Sequence, residues 1–376
     1  MHIHQLRIQN FRNIREASLD LTPGVQLLIG RNAQGKTSLL EAVYLLATAT
    51  SHRTHNNREL ITQGETTAFI EAEFDRDGSR HRLSTGFDSK ERRFRIDEKP
   101  LKRVSDLYGI LKAVFFSPED LEFLSGGPIA RRRTMDLGLC QQNPPLVRVL
   151  LDYRKALKQR NTLLRQADAS ITTRNLVKAW NPELIRLGTQ ILSQRADYTL
   201  KLIEKASDYY ASITGSRENL AGVYRSSMIH LAWRKGGEIP DEQDLKKYFE
   251  IALEETVEKD FLYRQTHAGP HRDDIVLEVC GKSAERYASQ GQRRSIVLAL
   301  KLAERDLLTS PNDPPILLVD DVTHEMDMRR CDRFLENICS SGQVFLTFTE
   351  TESHRGLIKN ATEWHVQDGM ISRRSG

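Results

Sequence analysis

The sequence of 376 residues predicts an α/β protein in which a mixed sheet and an antiparallel β lobe are interrupted by an inserted helical arm. Three observations predict this class. Residues 1–29 and 67–103 alternate apolar and polar side chains, which indicates strands. From about residue 130 the apolar residues recur every three to four positions, which indicates helices. Strand-like segments return from residue 275 onward, so the helices interrupt the α/β part.

The predicted elements follow in order along the chain. Residues 1–29 predict three short strands, the last of them buried at Val25–Ile29, and Leu39–Ala47 predicts an apolar helix. The stretch 67–103 predicts an antiparallel meander, and a buried strand follows at Ile110–Phe116. Later elements are expected at Ile275–Val279, Ile316–Val319 and Val344–Thr347 as strands and from about Gln292 to Leu308 as a long helix. We therefore expect an N-terminal head part at 1–128, a helical arm at 129–265 and a C-terminal head part at 266–376.

Composition excludes several classes of protein. Hydrophobic residues make up 39% and charged residues 28% of the chain, as is typical of a globular protein. No stretch approaches the roughly eighteen apolar residues that span a membrane, and no apolar signal-peptide core is visible. The cysteines lack C-x-x-C spacing, so we expect a cytoplasmic protein whose thiols are reduced and lie in the core, at Cys140, Cys280, Cys331 and Cys339.

The net charge of +4 is unevenly distributed. Residues 80–103 hold nine Lys and Arg against four Asp and Glu, a net +5, and residues 131–165 hold nine against two, a net +7. The remaining residues therefore carry −8. Two concentrated basic segments are what a surface for a polyanion requires, and solvated hairpin and helix faces are the alternative interpretation.

The most specific motif is a candidate phosphate-binding loop. Residues 30–37, GRNAQGKT, match G-x-x-x-x-G-K-[ST] in full, between a predicted strand and a predicted helix. The glycines let the backbone curl so that amide groups point at phosphate oxygens, Lys36 would reach the β- and γ-phosphates, and Thr37 would place its hydroxyl on Mg²⁺. The candidate ATP contacts are Gly30, Arg31, Asn32, Ala33, Gln34, Gly35, Lys36 and Thr37.

A phosphate loop predicts a companion strand that ends in a carboxylate. Ile316–Val319 is followed by Asp320, which fits the Mg²⁺ position, and by Asp321, which could polarise an attacking water as a general base. Lys36 and Asp321 are therefore the candidate catalytic residues.

A second candidate anion site lies directly before the long C-terminal helix, at Ser289, Gln290, Gly291 and Gln292. A serine N-cap and a glycine leave amide groups pointing out of a helix N-terminus. One protomer seldom needs two such sites for one triphosphate. We therefore expect this turn to bind the γ-phosphate of ATP held by another subunit, and an ordinary capped helix is the alternative.

These motifs, in this order, resemble the ABC-type ATPase heads of the SMC-like class and, within it, the RecF family of DNA replication and repair proteins. The resemblance covers essentially the whole chain and rests on the strings IQNFRN (8–13), GRNAQGKTSLLEA (30–42), SHRT (51–54), FSPEDL (116–121), RRRTMD (131–136), KQRN (158–161), GPHRDD (269–274), SQGQRRSIVLALKLAE (289–304) and DDV (320–322).

The resemblance implies a cytoplasmic bacterial protein that binds ATP, Mg²⁺ and DNA, with no membrane partner. It implies a weak, DNA-stimulated ATPase that forms an ATP-dependent homodimer on double-stranded DNA, single-stranded DNA or gap junctions. RecR and RecO are the implied partners in loading RecA onto single-stranded gaps. The candidate DNA contacts are Arg131, Arg132, Arg133, Arg92 and Arg93. Three consecutive arginines cannot share one helix face, so at least one should point into the protein as an ion pair.

Some positions depart from the family pattern. VTHEMD at 322–327 keeps only Val322, Glu325 and Asp327 of the family's V-F-S-E-L-D pattern, in which Asp327 is the candidate dimer contact. No glutamine occurs in 113–124, and Thr347 or Thr349 stands where related ATPases have a histidine. His271 in GPHRDD is as compatible with a structural as with a functional role.

Other classes of protein remain open at this point. The chief alternative is the ATPase subunit of an ABC solute transporter, against which stand SQGQ in place of an LSGGQ-like signature and the long insertion. A structural SMC-like protein would need a much longer coiled coil. A binding module without ATPase activity would require the phosphate loop to be accidental.

Overall fold

A computed structural model describes residues 1–166, 170–215, 218–228, 232–233, 238–310, 313–321, 328–339, 342–349 and 361–374. The chain divides into two compact units. The first unit comprises Met1–Leu121, Ser212–Ser216 and Arg294–Gly376, and the second comprises Glu122–Ala211 and Arg217–Arg293. Among the described helices, none combines the length and the apolar character that crossing a membrane requires.

The strands are β1 (His2–Phe11), β2 (Ile14–Asp20), β3 (Val25–Ile29), β4 (Thr67–Arg76), β5 (Ser79–Asp88), β6 (Arg92–Ile96), β7 (Lys99–Pro100), β8 (Ala113–Phe116), β9 (Leu220–Arg225), β10 (Ala232–Trp233), β11 (Asp274–Val279), β12 (Lys282–Ser283), β13 (Ile316–Val319), β14 (Val344–Phe348), β15 (Thr362–Gln367) and β16 (Met370–Arg373). The helices are α1 (Lys36–Thr48), α2 (Asn57–Leu60), α3 (Glu122–Ser125), α4 (Gly127–Gln142), α5 (Leu146–Gln166), α6 (Ile171–Lys178), α7 (Asn181–Thr214), α8 (Glu242–Glu255), α9 (Val257–Tyr263), α10 (Ala284–Tyr287), α11 (Gln290–Leu308) and α12 (Met328–Cys339), with 3-10 turns at Val104–Leu107, Pro118–Leu121 and Pro270–Arg272.

The first unit contains two six-stranded sheets around one core. The antiparallel sheet has the order β2-β1-β4-β5-β6-β7, and the mixed sheet has the order β16-β15-β3-β14-β13-β8. In the mixed sheet only β16 runs antiparallel to its neighbour. Nearly every side chain of α1 is buried, and its apolar residues join the core shared with the antiparallel sheet. The predicted mixed sheet with an antiparallel lobe is therefore present.

The parallel strands decide where the candidate site forms. β3, β14, β13 and β8 lie side by side and run in one direction, so their carboxyl ends meet at one edge. Ligand sites in such sheets lie outside the carboxyl ends. The loop 30–35 leaves β3 at that edge, and Asp320 leaves β13 beside it.

The second unit is not purely helical, which corrects the sequence prediction. It holds a four-stranded sheet of order β10-β9-β11-β12, in which β11 pairs with β9 from Asp274↔Arg225 to Val279↔Leu220. The strand predicted at Ile275–Val279 therefore belongs to this unit and not to the head. Its partner β9 lies within the stretch that we predicted as helix. The second unit runs to Arg293 and therefore extends beyond the expected arm of 129–265. The hairpin of β15 and β16 was also not predicted.

All four cysteines lie in the described part of the chain, and none of them forms a disulfide. Cys140 and Cys331 are buried, Cys339 is half-buried, and Cys280 is exposed, so the expectation of a core thiol is wrong for Cys280. That residue lies in the tight turn between β11 and β12, with φ of 48°, which keeps its side chain outside the core.

A buried polar network around GPHRDD joins the elements of the second unit. Asp273 accepts hydrogen bonds from Tyr224 Oη (2.7 Å) and from the Ser227 amide (2.7 Å). The Pro270 carbonyl accepts from Arg195 Nη1 (2.7 Å), whose guanidinium also pairs with Asp136 (2.8 Å). Buried polar groups cost stability unless each is hydrogen-bonded. The segment therefore requires these partners in one arrangement.

His271 has a structural role within this network. Its Nε2 lies 3.0 Å from the Thr266 carbonyl and its Nδ1 lies 2.8 Å from Tyr153 Oη. A carbonyl can only accept, so Nε2 carries the proton and Nδ1 accepts from the tyrosine hydroxyl. Burial lowers the pKa of His271 to about 4. The neutral imidazole is thus part of the folded state.

We expect the stability of the second unit to depend on pH through His271. Because the folded pKa lies below the ordinary value of 6.5, the unfolded chain binds the extra proton first as the pH falls. This stability is fully present above about pH 6.5 and is lost toward pH 4, on the order of 3 kcal/mol. Thermal unfolding of the wild type and of His271→Gln between pH 4.5 and 7.5 measures it. An equally steep pH dependence in both proteins would contradict the assignment.

Candidate nucleotide-binding site

The phosphate loop is shaped by contacts that only glycine allows at its first position. A Cβ on Gly30 would lie 2.2 Å from the carbonyl oxygen of Val366, so no larger residue fits. Gly35 has φ of 117° and is the N-cap of α1, which has no side-chain cap. Amide groups at an uncapped helix N-terminus can bind an anion. The loop is therefore built as an anion site.

Lys36 lies over the loop and is buried. Its Nζ donates to the carbonyl oxygens of Gly30 (2.5 Å) and Arg31 (2.9 Å). These carbonyl oxygens carry no net charge, and their two hydrogen bonds hold the ammonium group within the loop. The oxygens of a polyphosphate are stronger acceptors because they carry charge. Lys36 is thus held where it can transfer its hydrogen bonds to a phosphate.

Thr37 and Asp320 meet as the sequence predicts. Thr37 Oγ1 donates to Asp320 Oδ2 (2.6 Å), and Thr347 Oγ1 donates to Asp320 Oδ1 (2.9 Å). Burial raises the pKa of Asp320. A hydroxyl and a carboxylate are the oxygen ligands that Mg²⁺ prefers alongside substrate phosphates. The pair therefore fits a Mg²⁺ ion that a bound nucleotide brings.

Asp321 has a different environment from its neighbour. It is exposed, its backbone is left-handed with φ of 50°, and its amide donates to Thr347 Oγ1 (2.9 Å). Thr347 therefore contacts both acidic residues, one through each hydrogen-bonding role of its hydroxyl. This explains why a threonine stands at that position. Asp321 borders the cavity, so a water there can reach its carboxylate.

A cavity of about 960 Å³ connects these groups. This volume is within the range of small-molecule sites. Its lining residues are Arg12, Asn13, Arg15, Asn32, Ala33, Gln34, Gly35, Lys36, Thr37, Ser38, Arg53, Glu59, Ile61, Thr62, Gln63, Pro118, Glu119, Asp320 and Asp321. The structure thus brings most of the loop, the metal-side pair and the candidate base to one space.

Arg12 belongs to the site but was not predicted. Its guanidinium donates to both carboxylate oxygens of Glu41 (2.9 and 2.8 Å) and to the Glu59 carbonyl (2.9 Å). Burial alone would raise the pKa of Glu41, but hydrogen bonds from Arg12 and Ser51 outweigh burial and lower it. The string IQNFRN contained this signal, since Arg12 and Asn13 form the β1–β2 turn beside the loop.

The second glycine turn belongs to the second unit, whereas the phosphate loop and Asp320 belong to the first. Ser289 Oγ accepts from the Gln292 amide (3.2 Å), and Gln292 Oε1 accepts from the Ser289 amide (2.9 Å). This reciprocal pair is a capping box at the start of α11. The predicted serine cap is therefore present. Its hydroxyl accepts in the cap and keeps its own proton to donate.

The three consecutive arginines have different environments. Arg131 is buried and forms two hydrogen bonds to Asp274 (2.7 and 2.8 Å), so it cannot be a DNA contact in this conformation. Arg132 is half-buried and donates to the Asp273 carbonyl (2.6 Å), and burial lowers its pKa. Arg133 is exposed. Arg131 is thus the inward-pointing arginine that three adjacent helical positions require.

The two arginines of the β lobe differ in the same way. Arg92 donates to the Ala49 carbonyl (2.8 Å) and to Asn57 Oδ1 (2.5 Å), and it lies over the Phe87 ring. Burial lowers its pKa to about 10, which leaves it a cation at neutral pH, and its partners give it a structural role, while its contact with DNA stays a prediction. Arg93 is exposed and forms a solvent-exposed ion pair with Glu91 (2.7 Å), a kind of pair that contributes little to stability. Arg93 and Arg133 are therefore the candidates that a phosphate can reach.

The segment VTHEMD at 322–327, with the candidate dimer contact Asp327, lies outside the described residues.

Comparisons with known proteins identify the family of this chain. The family model described as the RecF/RecN/SMC N terminal domain matches residues 2–371. The chain is 36% identical over 354 residues to the DNA replication and repair protein RecF of Lachnoclostridium phytofermentans, which is 94% of each chain. The resemblance based on the motifs is therefore confirmed.

Two solved structures extend the comparison to the fold. One, described as the recombination mediator protein RecF-ATPrS in the RecFOR pathway, has a TM-score of 0.88 at 28% identity and covers 100% of this chain and 98% of that chain. The other is the Smc head domain of Pyrococcus furiosus bound to the C-terminal domain of ScpA, with a TM-score of 0.55 at 12% identity, covering 100% and 96%. This second likeness is one of fold alone. The predicted ABC-type ATPase head fold is confirmed.

We expect Arg131 and Arg133 to respond differently to the same substitution. Arg131→Ala leaves the Asp274 carboxylate without its partner and should lower the unfolding free energy by about 3 kcal/mol. Arg133→Ala should change stability by no more than about 0.5 kcal/mol. It should instead weaken duplex DNA binding and reduce the log–log salt slope by roughly one unit. Thermal unfolding and DNA titrations at several salt concentrations measure both effects. Loss of stability in Arg133→Ala would contradict the placement.

Proposed function

This chain belongs to the RecF family of DNA replication and repair proteins, and on that premise we propose that it is an ATP-gated DNA-binding protein of recombinational repair and replication restart. The observation that carries the proposal is the convergence of Lys36, Thr37 and Asp320 on one cavity. As the family implies, it would bind DNA in the bacterial cytoplasm.

The proposed reaction is slow ATP hydrolysis. The loop 30–37 binds the phosphates, and Lys36 stabilises the charge that develops on the γ-phosphate. Thr37 and Asp320 would hold a Mg²⁺ ion, which would neutralise part of the charge on the phosphates. Asp321 accepts a proton from the attacking water, since it is exposed at the cavity, whereas Asp320 is buried and is held by Thr37 and Thr347.

ATP binding is proposed to close a homodimer. The capping box at Ser289 leaves the hydroxyl proton of Ser289 for the γ-phosphate of a second copy. Two ATP molecules would then join two heads, and hydrolysis would release them. An ordinary helix cap would have the same two hydrogen bonds, and substitutions of Ser289 distinguish a cap from a dimer contact.

The closed dimer is proposed to hold DNA through its exposed basic residues. Arg133 and Arg93 would contact phosphates, so binding should depend on salt and little on sequence. DNA would stimulate hydrolysis, and the protein would help RecO and RecR to load recombinase at single-stranded gaps. The description of the solved relative as a recombination mediator protein in the RecFOR pathway supports this proposed role. With family membership shown, no observation favours the transporter alternative.

We expect the two adjacent acids to affect different steps. Asp320→Asn removes the carboxylate beside Thr37 and should weaken MgATP binding at least tenfold. Asp321→Asn should leave MgATP binding within about twofold and lower turnover by roughly a hundredfold. Calorimetric titration with MgATP and phosphate release in the presence of duplex DNA measure the two steps. Equal losses in both steps for both variants would mean that the roles are misassigned.

Two substitutions at Ser289 test the dimer. Ser289→Asp keeps a capping acceptor but opposes a phosphate, whereas Ser289→Arg removes the cap and fills the site. Both should bind ATP as the wild type does and lose the ATP-dependent dimer in sedimentation. Ser18→Arg, at an exposed serine of β2, is the control and should still dimerise. A dimer that persists in Ser289→Asp would show that the turn is a helix cap only.

A further inference from the structure

The hairpin near the C-terminus ends in a tight turn beside the phosphate loop. Asp368 and Gly369 join β15 to β16, both with left-handed backbone (φ of 48° and 79°). This pair of conformations is that of a type I′ hairpin turn, which Asp-Gly favours. β15 pairs in parallel with β3, and His365 lies opposite Ile29. This parallel pairing therefore places the hairpin turn at the sheet edge where the phosphate loop leaves β3.

The turn donates two successive backbone hydrogen bonds to one residue of the loop. The Asp368 amide donates to Gln34 Oε1 (2.6 Å), and the Gly369 amide donates to the Gln34 carbonyl (2.9 Å). Gln34 occupies the middle of the loop, between Ala33 and Gly35. Both of these acceptors of Gln34 are thus engaged by the hairpin.

The bond to the Gln34 carbonyl sets the direction of the Gly35 N–H, a backbone donor of the phosphate loop. The peptide group is planar and trans, so the N–H of Gly35 points opposite to the carbonyl of Gln34. Because the hairpin holds that carbonyl, the Gly35 N–H is directed away from the hairpin. A rotated peptide would present a carbonyl oxygen to the phosphates and repel them. The loop also contains Ala33 at φ of 66°, a conformation that costs free energy unless other contacts maintain it.

The turn is packed too closely to shift without moving the loop. A Cβ on Gly369 would lie 2.0 Å from the carbonyl oxygen of Asn13. Asn13 in turn contacts the loop, since its Nδ2 donates to the Ala33 carbonyl (3.4 Å) and its Oδ1 accepts from Ser38 Oγ (2.8 Å). The loop is therefore held between the β1–β2 turn and the hairpin turn.

We propose that the Asp368–Gly369 turn is a positioning element that keeps the phosphate loop in its nucleotide-binding conformation. The proposal rests on the proposed function, since it concerns the same ATP site. The turn acts through Gln34 and contacts no reacting atom. Its effect is preorganisation, because a loop already shaped for phosphates does not spend binding free energy on ordering.

The chain offers a matched control for this turn. Asp77 and Gly78 form the β4–β5 turn with almost the same backbone, φ of 49° and 77°, and a Cβ on Gly78 meets nothing within 4 Å. Gly369→Ala and Gly78→Ala therefore impose the same left-handed strain on an alanine. Only Gly369→Ala also displaces the turn from Asn13 and Gln34.

The experiment compares nucleotide binding and turnover in these variants. Gly369→Ala should weaken ATP and ADP binding by about tenfold each, since the loop binds phosphates common to both. The KM for ATP should rise by a similar factor while kcat changes by less than about twofold, because the reacting groups are untouched. Gly78→Ala should keep the affinity and KM of the wild type. Gln34→Met, which removes the bond from the Asp368 amide and keeps the backbone bond from the Gly369 amide, should weaken binding about fivefold.

Equal ATP affinity in Gly369→Ala and Gly78→Ala would overturn the proposal, and so would an unchanged KM. If Gly369→Ala does not fold, Gln34→Met decides, and wild-type affinity in that variant overturns it. Lys36→Ala separates this result from the proposed function. If the wild type binds ATP no better than Lys36→Ala, the ATP site itself is wrong, whatever the hairpin does.

Discussion

The hydrogen bond between Thr37 and Asp320 joins residues 283 positions apart, and the candidate site depends on it. It forms because β3 and β13 run parallel on either side of β14, so their carboxyl ends meet at one edge. Thr347, on the strand between them, bonds to Asp320 and to the Asp321 amide. The candidate site is therefore a property of the sheet order and not of any one segment.

The second unit depends on a polar segment instead. Residues 269–274 supply carbonyl, imidazole and carboxylate groups whose partners come from several helices and from β9. A buried network of this kind is stable only when every member is paired, which specifies one arrangement. Arg131 extends the network toward the capped turn, since its guanidinium bonds to Asp274 and lies 3.8 Å from Glu285 in α10. The basic run that suggested a DNA contact thus also joins α4 to β11 and α10.

The distribution of charge along the chain indicated a basic surface but not its members. Of five candidate arginines, Arg131 and Arg92 are held by groups distant in sequence, Asp274 and the Ala49 carbonyl. Consecutive residues of a helix point about 100° apart, so a run of three must divide between surface and interior. Which of the three arginines points inward depends on the position of a partner carboxylate, and that position is set by tertiary packing.

The phosphate loop between β3 and α1, the acidic end of β13 and the serine cap of α11 could be predicted from the amino-acid sequence, because each is a motif of consecutive residues with a characteristic pattern. Only the tertiary structure decided that β11 pairs with β9, that Arg12 pairs with Glu41, and that the turn at Asp368 contacts Gln34. Periodicity reports which face of an element is buried, but it does not report which element covers that face. Those contacts join segments far apart in the chain, and they form only when the whole core has packed.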